Sequence, residues 1–349
     1  MTESPGRDAT VFILLATYDG ERYLPALLES LRAQTCENWV LLARDDGSQD
    51  GTARLLAEAA AVDGRVRVLD DGLGHLGVTG NFAALASAAH AAGARYFAFC
   101  DQDDVWLPTK LARLRGVLAA RELVLGADCP LLAFSELHIV DESLRGLSAS
   151  YFAHAHAEPC RNGAVDWMIV KNIVPGCAMM GNRALLAYAL PMPEAVVIHD
   201  WWFGLCAACA GELLALREPL LLYRQHAGNV VGARSYFGKI RDFVAHLPAR
   251  CESDADYFRL IVRQAEQALT RAEAQGGGRP GFVDLVRRFV AAMHAPGALQ
   301  RVWRLWRLPV RRPGLARNLL LFCQVWRYRG APPCVAQGEG PDGSADARS

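Results

Sequence analysis

The chain has 349 residues, 52% of them hydrophobic and 21% charged, with 37 basic against 37 acidic side chains. That length favours about two domains of roughly 150 residues; the apolar content excludes a disordered chain, and the zero net charge excludes a globally basic nucleic-acid binder. The balance is uneven: residues 285–338 hold ten Arg and no acid, while the first 284 residues carry 26 bases against 34 acids, a net of −8. An acidic body with a basic C-terminal segment is expected.

Residues 11–16 form an apolar run ending in Thr17-Tyr18-Asp19-Gly20, a buried strand that feeds a loop. Apolar positions 24, 27, 28 and 31 make 23–34 a helix, and 39–43 a second strand closed by Asp45-Asp46-Gly47-Ser48. A helix over 50–61, a strand over 66–69, a helix over 81–92 and a strand over 96–100 follow, the last ending on Asp101-Gln102-Asp103-Asp104. Strict alternation predicts an α/β fold with a mostly parallel sheet flanked by helices, its ligand at the carboxyl ends of the strands, where the acids gather. Beyond 130 the pattern is mixed: a strand at 131–134, a polar loop to about 165, a strand and turn at 172–176, and a helix from 182. A helix at 201–214, a strand at 220–223 and helices from about 235 complete it. Residues 1–10 and 331–349 read as tails, the latter disordered.

Neither the run at 11–16 nor the apolar stretch at 201–211 approaches the ~18 residues of a membrane span, and nothing resembles an export signal, so a cytoplasmic location is expected. The ten Cys read as reduced thiols, and Cys206-Ala-Ala-Cys209 as helix packing.

Three carboxylates within Asp101–Asp104 repel one another unless a cation or several donors neutralise them, and hard oxygen ligands suit Mg²⁺ or Mn²⁺ bridging a diphosphate. The bland alternative is a helix N-cap, which Asp104 alone could supply. Asp45-Asp46-Gly47-Ser48 also suits an ordinary turn, but its place beside the metal candidate fits an acid that accepts from a base or ribose. Gly72-Leu-Gly74-His-Leu-Gly77 mimics a dinucleotide fingerprint, which would make the chain an NAD-dependent oxidoreductase. Against that, residues 78–81 intervene before helical periodicity starts.

Ala16-Thr17-Tyr18-Asp19-Gly20, Asp45-Asp46-Gly47-Ser48-Gln49-Asp50, Gly77-Val78-Thr79-Gly80-Asn81-Phe82 and Asp101-Gln102-Asp103-Asp104-Val105-Trp106-Leu107-Pro108 together resemble family 2 glycosyltransferases of the GT-A fold. Val174-Pro175-Gly176-Cys177-Ala178, His199-Asp200-Trp201-Trp202 and the run from Tyr223 through His226 to Gly232 resemble the bacterial branch that builds surface polysaccharides and includes many rhamnosyltransferases. Asp19 stands where relatives usually have Asn, and Pro175 where Thr or Ser is commoner. The resemblance implies that Thr17 and Tyr18 line the nucleotide pocket, Asp46 contacts the base, Asp101 lies near the ribose, Asp103 binds Mn²⁺ or Mg²⁺, and Asp200 is the general base. Its partners would be a nucleotide-diphosphate sugar, dTDP-rhamnose or a UDP-sugar, and a lipid-linked glycan acceptor.

Asp200 could otherwise be a helix N-cap. Of Trp201 and Trp202, one is expected in the core and the other as an acceptor wall. Alternation after the strand at 220–223 puts Arg224 and His226 on one side, suiting a pyrophosphate contact and a metal or phosphate contact; a surface Arg and a satisfied His are the alternative. Gly176 permits close backbone approach, and Gly228 and Gly232 suit a mobile lid. The domains expected are 11–232, with a nucleotide half at 11–108 and an acceptor half at 130–232, and a helical basic region at 233–330. In that region Leu299, Val302, Trp303 and Trp306 share a helical face with Arg301, Arg304 and Arg307 around it, which suits the anionic inner face of a plasma membrane or packing on the domain. A non-catalytic nucleotide- or glycan-binding module is the remaining alternative; intact acids at 46, 101, 103 and 200 argue against it.

Overall fold

The computed structural model describes residues 10–154, 164–226, 247–276 and 278–330. Strands β1 (Val11–Thr17), β2 (Trp39–Asp45), β3 (Val66–Val68) and β4 (Tyr96–Asp101) pair in parallel in the order β3-β2-β1-β4. The chain returns between them through α1 (Leu24–Arg32), α2 (Thr52–Val62) and α3 (Gly77–Ala91), so all four carboxyl ends reach one edge. Alternating side chains part the core in two. Val11, Ile13 and Leu15 pack with α1, α2 and a helix not anticipated from periodicity, α4 (Lys110–Leu125); Phe12 and Leu14 pack with α3 on the other face.

Beyond β4 come β5 (Val105–Trp106), β6 (Leu131–Val140), β7 (Gly146–Ser148), β8 (Met179–Asn182) and β9 (Glu212–Arg224), with α5 (Tyr151–His154), α6 (Arg183–Ala189) and α7 (His199–Ala210) among them. The sheet runs β3-β2-β1-β4-β8-β6-β9-β5, with β7 on β6. Antiparallel β8 joins β4 to β6, and β9 runs parallel to β6.

Three segments differ from expectation. The polar loop to 165 contains β7 and α5. Residues 172–176 form no strand: Pro175 has no N–H to donate and the Gly176 N–H goes to Asp200, so the ladder starts only at Met179. The helix expected over 201–214 stops at Ala210. Gly211 lies so close to Pro130 that a Cβ would overlap its carbonyl, and residues 212–216 pair with β6 instead.

Among the described residues the helices α8 (Leu247–Ala274), α9 (Pro280–Met293), α10 (Ala298–Trp306) and α11 (Leu315–Arg327) follow. Phe258, Ile261, Val286, Phe289, Leu305, Leu321 and Val325 pack into the same core as α7. Within the basic face, Leu305 is the buried residue of α10, while Leu299, Trp303 and Trp306 stay exposed. Among the described residues no helix is long and apolar enough to cross a membrane. Residues 1–9 and 331–349, the boundary near 232, and Gly228 and Gly232 lie outside the described residues.

Candidate active site

The carboxyl edge of the parallel strands is built by loops that bond one another. Thr17, buried at the end of β1, donates from Oγ1 to Asp45 Oδ1 at 2.9 Å. Tyr18 is half exposed, its ring centroid 5.2 Å from that of His75. Its N–H donates to Gln102 Oε1 at 2.9 Å and its carbonyl accepts from Gln102 Nε2 at 2.8 Å, so Gln102 ties the β1 loop to the β4 loop. Asp19 adopts φ 48°, a conformation that Asn and Asp tolerate best among residues with a Cβ; Asp therefore serves where relatives of the resembled family usually have Asn.

Asp46 is 2% exposed and surrounded by donors. Arg44 Nη1 donates to it at 2.8 Å, as do the main-chain N–H groups of Leu76 and Gly77, and Arg44 also pairs with Asp71. A base contact through Asp46 would have to replace one of these bonds. The Gly72-Gly74-Gly77 turn has positive φ at all three glycines, and α3 begins at Gly77 itself. The fingerprint geometry thus lies closer to a dinucleotide loop than its spacing suggested. The N–H groups of Leu76 and Gly77 are nonetheless committed to the Asp46 carboxylate, at the helix start where a dinucleotide would place its pyrophosphate.

Asp101, Asp103 and Asp104 leave β4 together. Asp104 is no helix cap, since α4 starts at Lys110 after Thr109. It is fully buried, accepts the Arg224 N–H at 3.2 Å, and leaves Oδ2 unpartnered among the described residues. Burial, then the charges of Asp103 and Asp101, pushes its carboxyl well above the usual carboxylate range. Burial, with Asp103 and Asp200 as the next causes, raises Asp101 to about 7. Lys110, also fully buried, donates from Nζ to the Cys177 carbonyl at 2.5 Å and sits 3.2 Å from the Trp106 ring centroid; burial pushes it down to about 8. Nothing in its spacing marked this internal cation.

The two metal candidates do meet: His226 Nε2 lies 2.8 Å from Asp103 Oδ2, with both side chains partly accessible. Carboxylate oxygen with one imidazole suits Mn²⁺ better than Mg²⁺, which prefers oxygen ligands alone. A second cluster, Asp101, Asp104 and Cys177, brings its ligand atoms within 4.8 Å of one another. Burial raises the Cys177 thiol well above its usual range, so it is a poor donor to a hard cation, and the paired Asp103 and His226 are the better candidates. Arg224 is buried; its Nε donates to the Asp103 carbonyl at 2.8 Å and its Nη1 to the Glu142 carbonyl at 2.6 Å. These bonds place the acid loop.

Asp200 is the second residue of α7 rather than its cap, which is Ile198. It is 8% exposed, and accepts from Gly176 N at 3.0 Å and Trp201 N at 2.6 Å, while Asn172 bonds its side chain. Burial raises it to about 7 against these hydrogen bonds. The close approach expected at Gly176 is to this residue: a Cβ there would stand 3.1 Å from Asp200 Cβ and Oδ2. Trp201 and Trp202 need a correction, since neither is an acceptor wall. Both are buried, with Trp201 Nε1 donating to the Met168 carbonyl and Trp202 Nε1 to the Ala189 carbonyl. Three turns of apolar α7 leave both indoles between layers, where each N–H finds a main-chain acceptor. Cys206 and Cys209 are likewise buried in α7 and free.

Residues 12–128 match the family model described as glycosyl transferase family 2. The dTDP-rhamnosyl transferase RfbG of Shigella flexneri is 24% identical over 64% of this chain and 75% of its own. The UDP-Glc:alpha-D-GlcNAc-diphosphoundecaprenol beta-1,3-glucosyltransferase WfgD of Escherichia coli is 34% identical over 30% of this chain and 39% of its own. Uncharacterized proteins of Mycobacterium tuberculosis and Mycobacterium bovis are 27% identical over 62% of this chain, which spans 59% of their length. Among solved structures, S. aureus TarS in complex with UDP-GlcNAc superposes with a TM-score of 0.53 at 15% identity, covering 85% of this chain and 79% of that one, a likeness of fold.

Proposed function

We propose that this chain, whose residues 12–128 are a glycosyl transferase family 2 domain on a GT-A fold, is an inverting, metal-dependent glycosyltransferase of surface-polysaccharide synthesis. The observation that carries the reading is the contact of Asp103 with His226 at the carboxyl edge of the sheet, with the charges of Asp103 and Asp200 felt at Asp101. Its domains are taken as 11–232 for transfer and 233–330 as a helical addition.

Thr17 and Tyr18 border the nucleotide, with Asp46 holding the wall behind it and Asp101 beside the ribose. Asp103 and His226 would hold a divalent cation, which would supply charge neutralisation to the leaving diphosphate. Asp200, raised to about 7, takes the proton of the acceptor hydroxyl as it attacks the sugar from the opposite face. Arg224 and Gly176 position these two acids. RfbG's name supports rhamnose from dTDP as donor, and WfgD's name supports a lipid-linked acceptor. The exposed Leu299, Trp303 and Trp306 beside Arg304 and Arg307 suit the anionic inner face of a plasma membrane, each basic residue adding ~1 kcal/mol.

Thermal stabilisation by dTDP, UDP, GDP and NAD⁺, with and without Mn²⁺, tests the reading. Ligand at 100 times its Kd adds about 2.7 kcal/mol. A Mn²⁺-dependent shift with one nucleoside diphosphate is expected. A shift with NAD⁺ alone, independent of metal, overturns the transferase reading in favour of a dinucleotide enzyme.

A further inference from the structure

One buried cation links the acid loop after β4 to Asp200. Lys110 is the first residue of α4, and the chain just before it is fixed to two other elements. The Leu107 N–H donates to the Leu220 carbonyl of β9 at 3.0 Å. Gln34, just beyond α1, donates to the Leu107 carbonyl at 2.9 Å and accepts the Leu111 N–H at 3.1 Å. From this anchored root the side chain crosses the Trp106 ring and ends on the Cys177 carbonyl. Cys177 is buried, its thiol among Asp101 and Asp104, and it lies in the single turn Gly176–Ala178, which the Ala178 N–H closes onto the Pro175 carbonyl at 3.0 Å. The first residue of that turn gives its N–H to Asp200 Oδ2. Two hydrogen bonds and one peptide unit therefore separate the Lys110 ammonium from the Asp200 carboxylate. Taking an ammonium out of water is costly, and Leu or Met would fill the space without that cost. What neither could do is fix the direction of a carbonyl.

We propose that Lys110 is a positioning residue of the transfer reaction, which sets Asp200 against the donor-side acids by holding the Cys177 carbonyl and, through that turn, the Gly176 N–H. This rests on reading Asp200 as the base. Asp101 and Asp103 leave β4 on the same stretch of chain that roots Lys110, so one ammonium keeps the donor side and the base in register.

The test is Lys110→Met, which keeps the length of the side chain and loses the donor. In the full chain with isotope-labelled glycine, the Gly176 amide resonance is identified by its absence in Gly176→Ala. In Lys110→Met it should move toward its position in Asp200→Asn, where the bond to a carboxylate is gone. Release of nucleoside diphosphate from dTDP-rhamnose or UDP-glucose, with Mn²⁺ present and water as acceptor, reads the reaction. Its kcat should fall about 10²-fold, the loss that a misplacement of about 1 Å produces, with donor KM unchanged. Made in the Asp200→Asn chain, the same substitution should lower kcat by no more than about threefold, because residues that act as a unit are not additive. An unchanged nucleotide-dependent thermal shift verifies folding. Should Lys110→Met not fold, Lys110→Arg keeps the charge, displaces the carbonyl and should give the same pattern. A Gly176 resonance at its native position overturns the proposal, as does a full-rate variant or a loss undiminished in the Asp200→Asn chain. Full turnover by Asp200→Asn itself fells the base reading instead, and if the native chain turns over neither donor the Gly176 resonance alone decides.

Discussion

Replacing Asp200 with Asn should stabilise the fold while stopping the chemistry, and the gain should depend on pH. Burial moves this carboxyl from 3.8 to about 7, and at about 1.4 kcal/mol per unit the ionised form costs the fold roughly 4 kcal/mol above pH 7. Between pH 4 and 7 the folded state holds a proton that the unfolded state has lost, so native stability falls as pH rises across that window. Asn has no such proton. It does have a single acceptor oxygen for the two N–H groups of Gly176 and Trp201, and leaving one unbonded costs about 1–3 kcal/mol. The net gain is therefore about 1–3 kcal/mol at pH 8 and close to nothing at pH 5. Calorimetric Tm of both proteins from pH 5 to 8 in EDTA should show curves that diverge upward for Asp200→Asn, with transfer down ~10²–10⁴-fold. Parallel Tm curves would show that Asp200 ionises without penalty and refute the tuning argument; retained turnover would remove it from the base role.

Gly176→Ala should lower turnover with little change in nucleotide binding, because the new Cβ must push the Asp200 carboxylate, and overpacking of this kind costs about 1–3 kcal/mol; a full-rate alanine variant would mean that the contact does not position the base. Trp202→Phe should destabilise the fold by about 1–3 kcal/mol, through the unbonded Ala189 carbonyl, and leave acceptor KM unchanged. A raised acceptor KM without loss of Tm would instead restore an acceptor wall. His226→Ala should weaken Mn²⁺-dependent nucleotide binding by at least about tenfold, as ligand-shell changes do, and an unaltered Mn²⁺ titration would take His226 out of the metal set.

The parallel half of the fold was legible because its strands are apolar on both faces and its helices carry an apolar stripe, so two periods alternate without ambiguity. The later half was not. Glu212 and Leu213-Leu214-Ala215-Leu216 satisfy a helix as well as a strand, and only pairing with Leu131–Ser135 decides between them. The site was legible as a set of acids and illegible as a division of labour. Asp45, Asp46, Asp101, Asp103, Asp104 and Asp200 look alike in sequence, and what separates them is the number of donors that distant segments aim at each. Ser48 and Thr17 bond Asp45, and Arg44, Leu76 and Gly77 bond Asp46, so those two hold loops together. Asp104 receives one main-chain bond in a buried place and is driven toward its neutral form, while Asp103 stays accessible beside His226. Asp200 lies between these extremes: enough N–H groups to fix its direction, and enough burial to raise its proton affinity to the range a base needs at neutral pH. Spacing alone cannot carry that distinction, because the donors come from Gly176, Leu76 and Gly77, whose own sequence context advertises turns and helix starts.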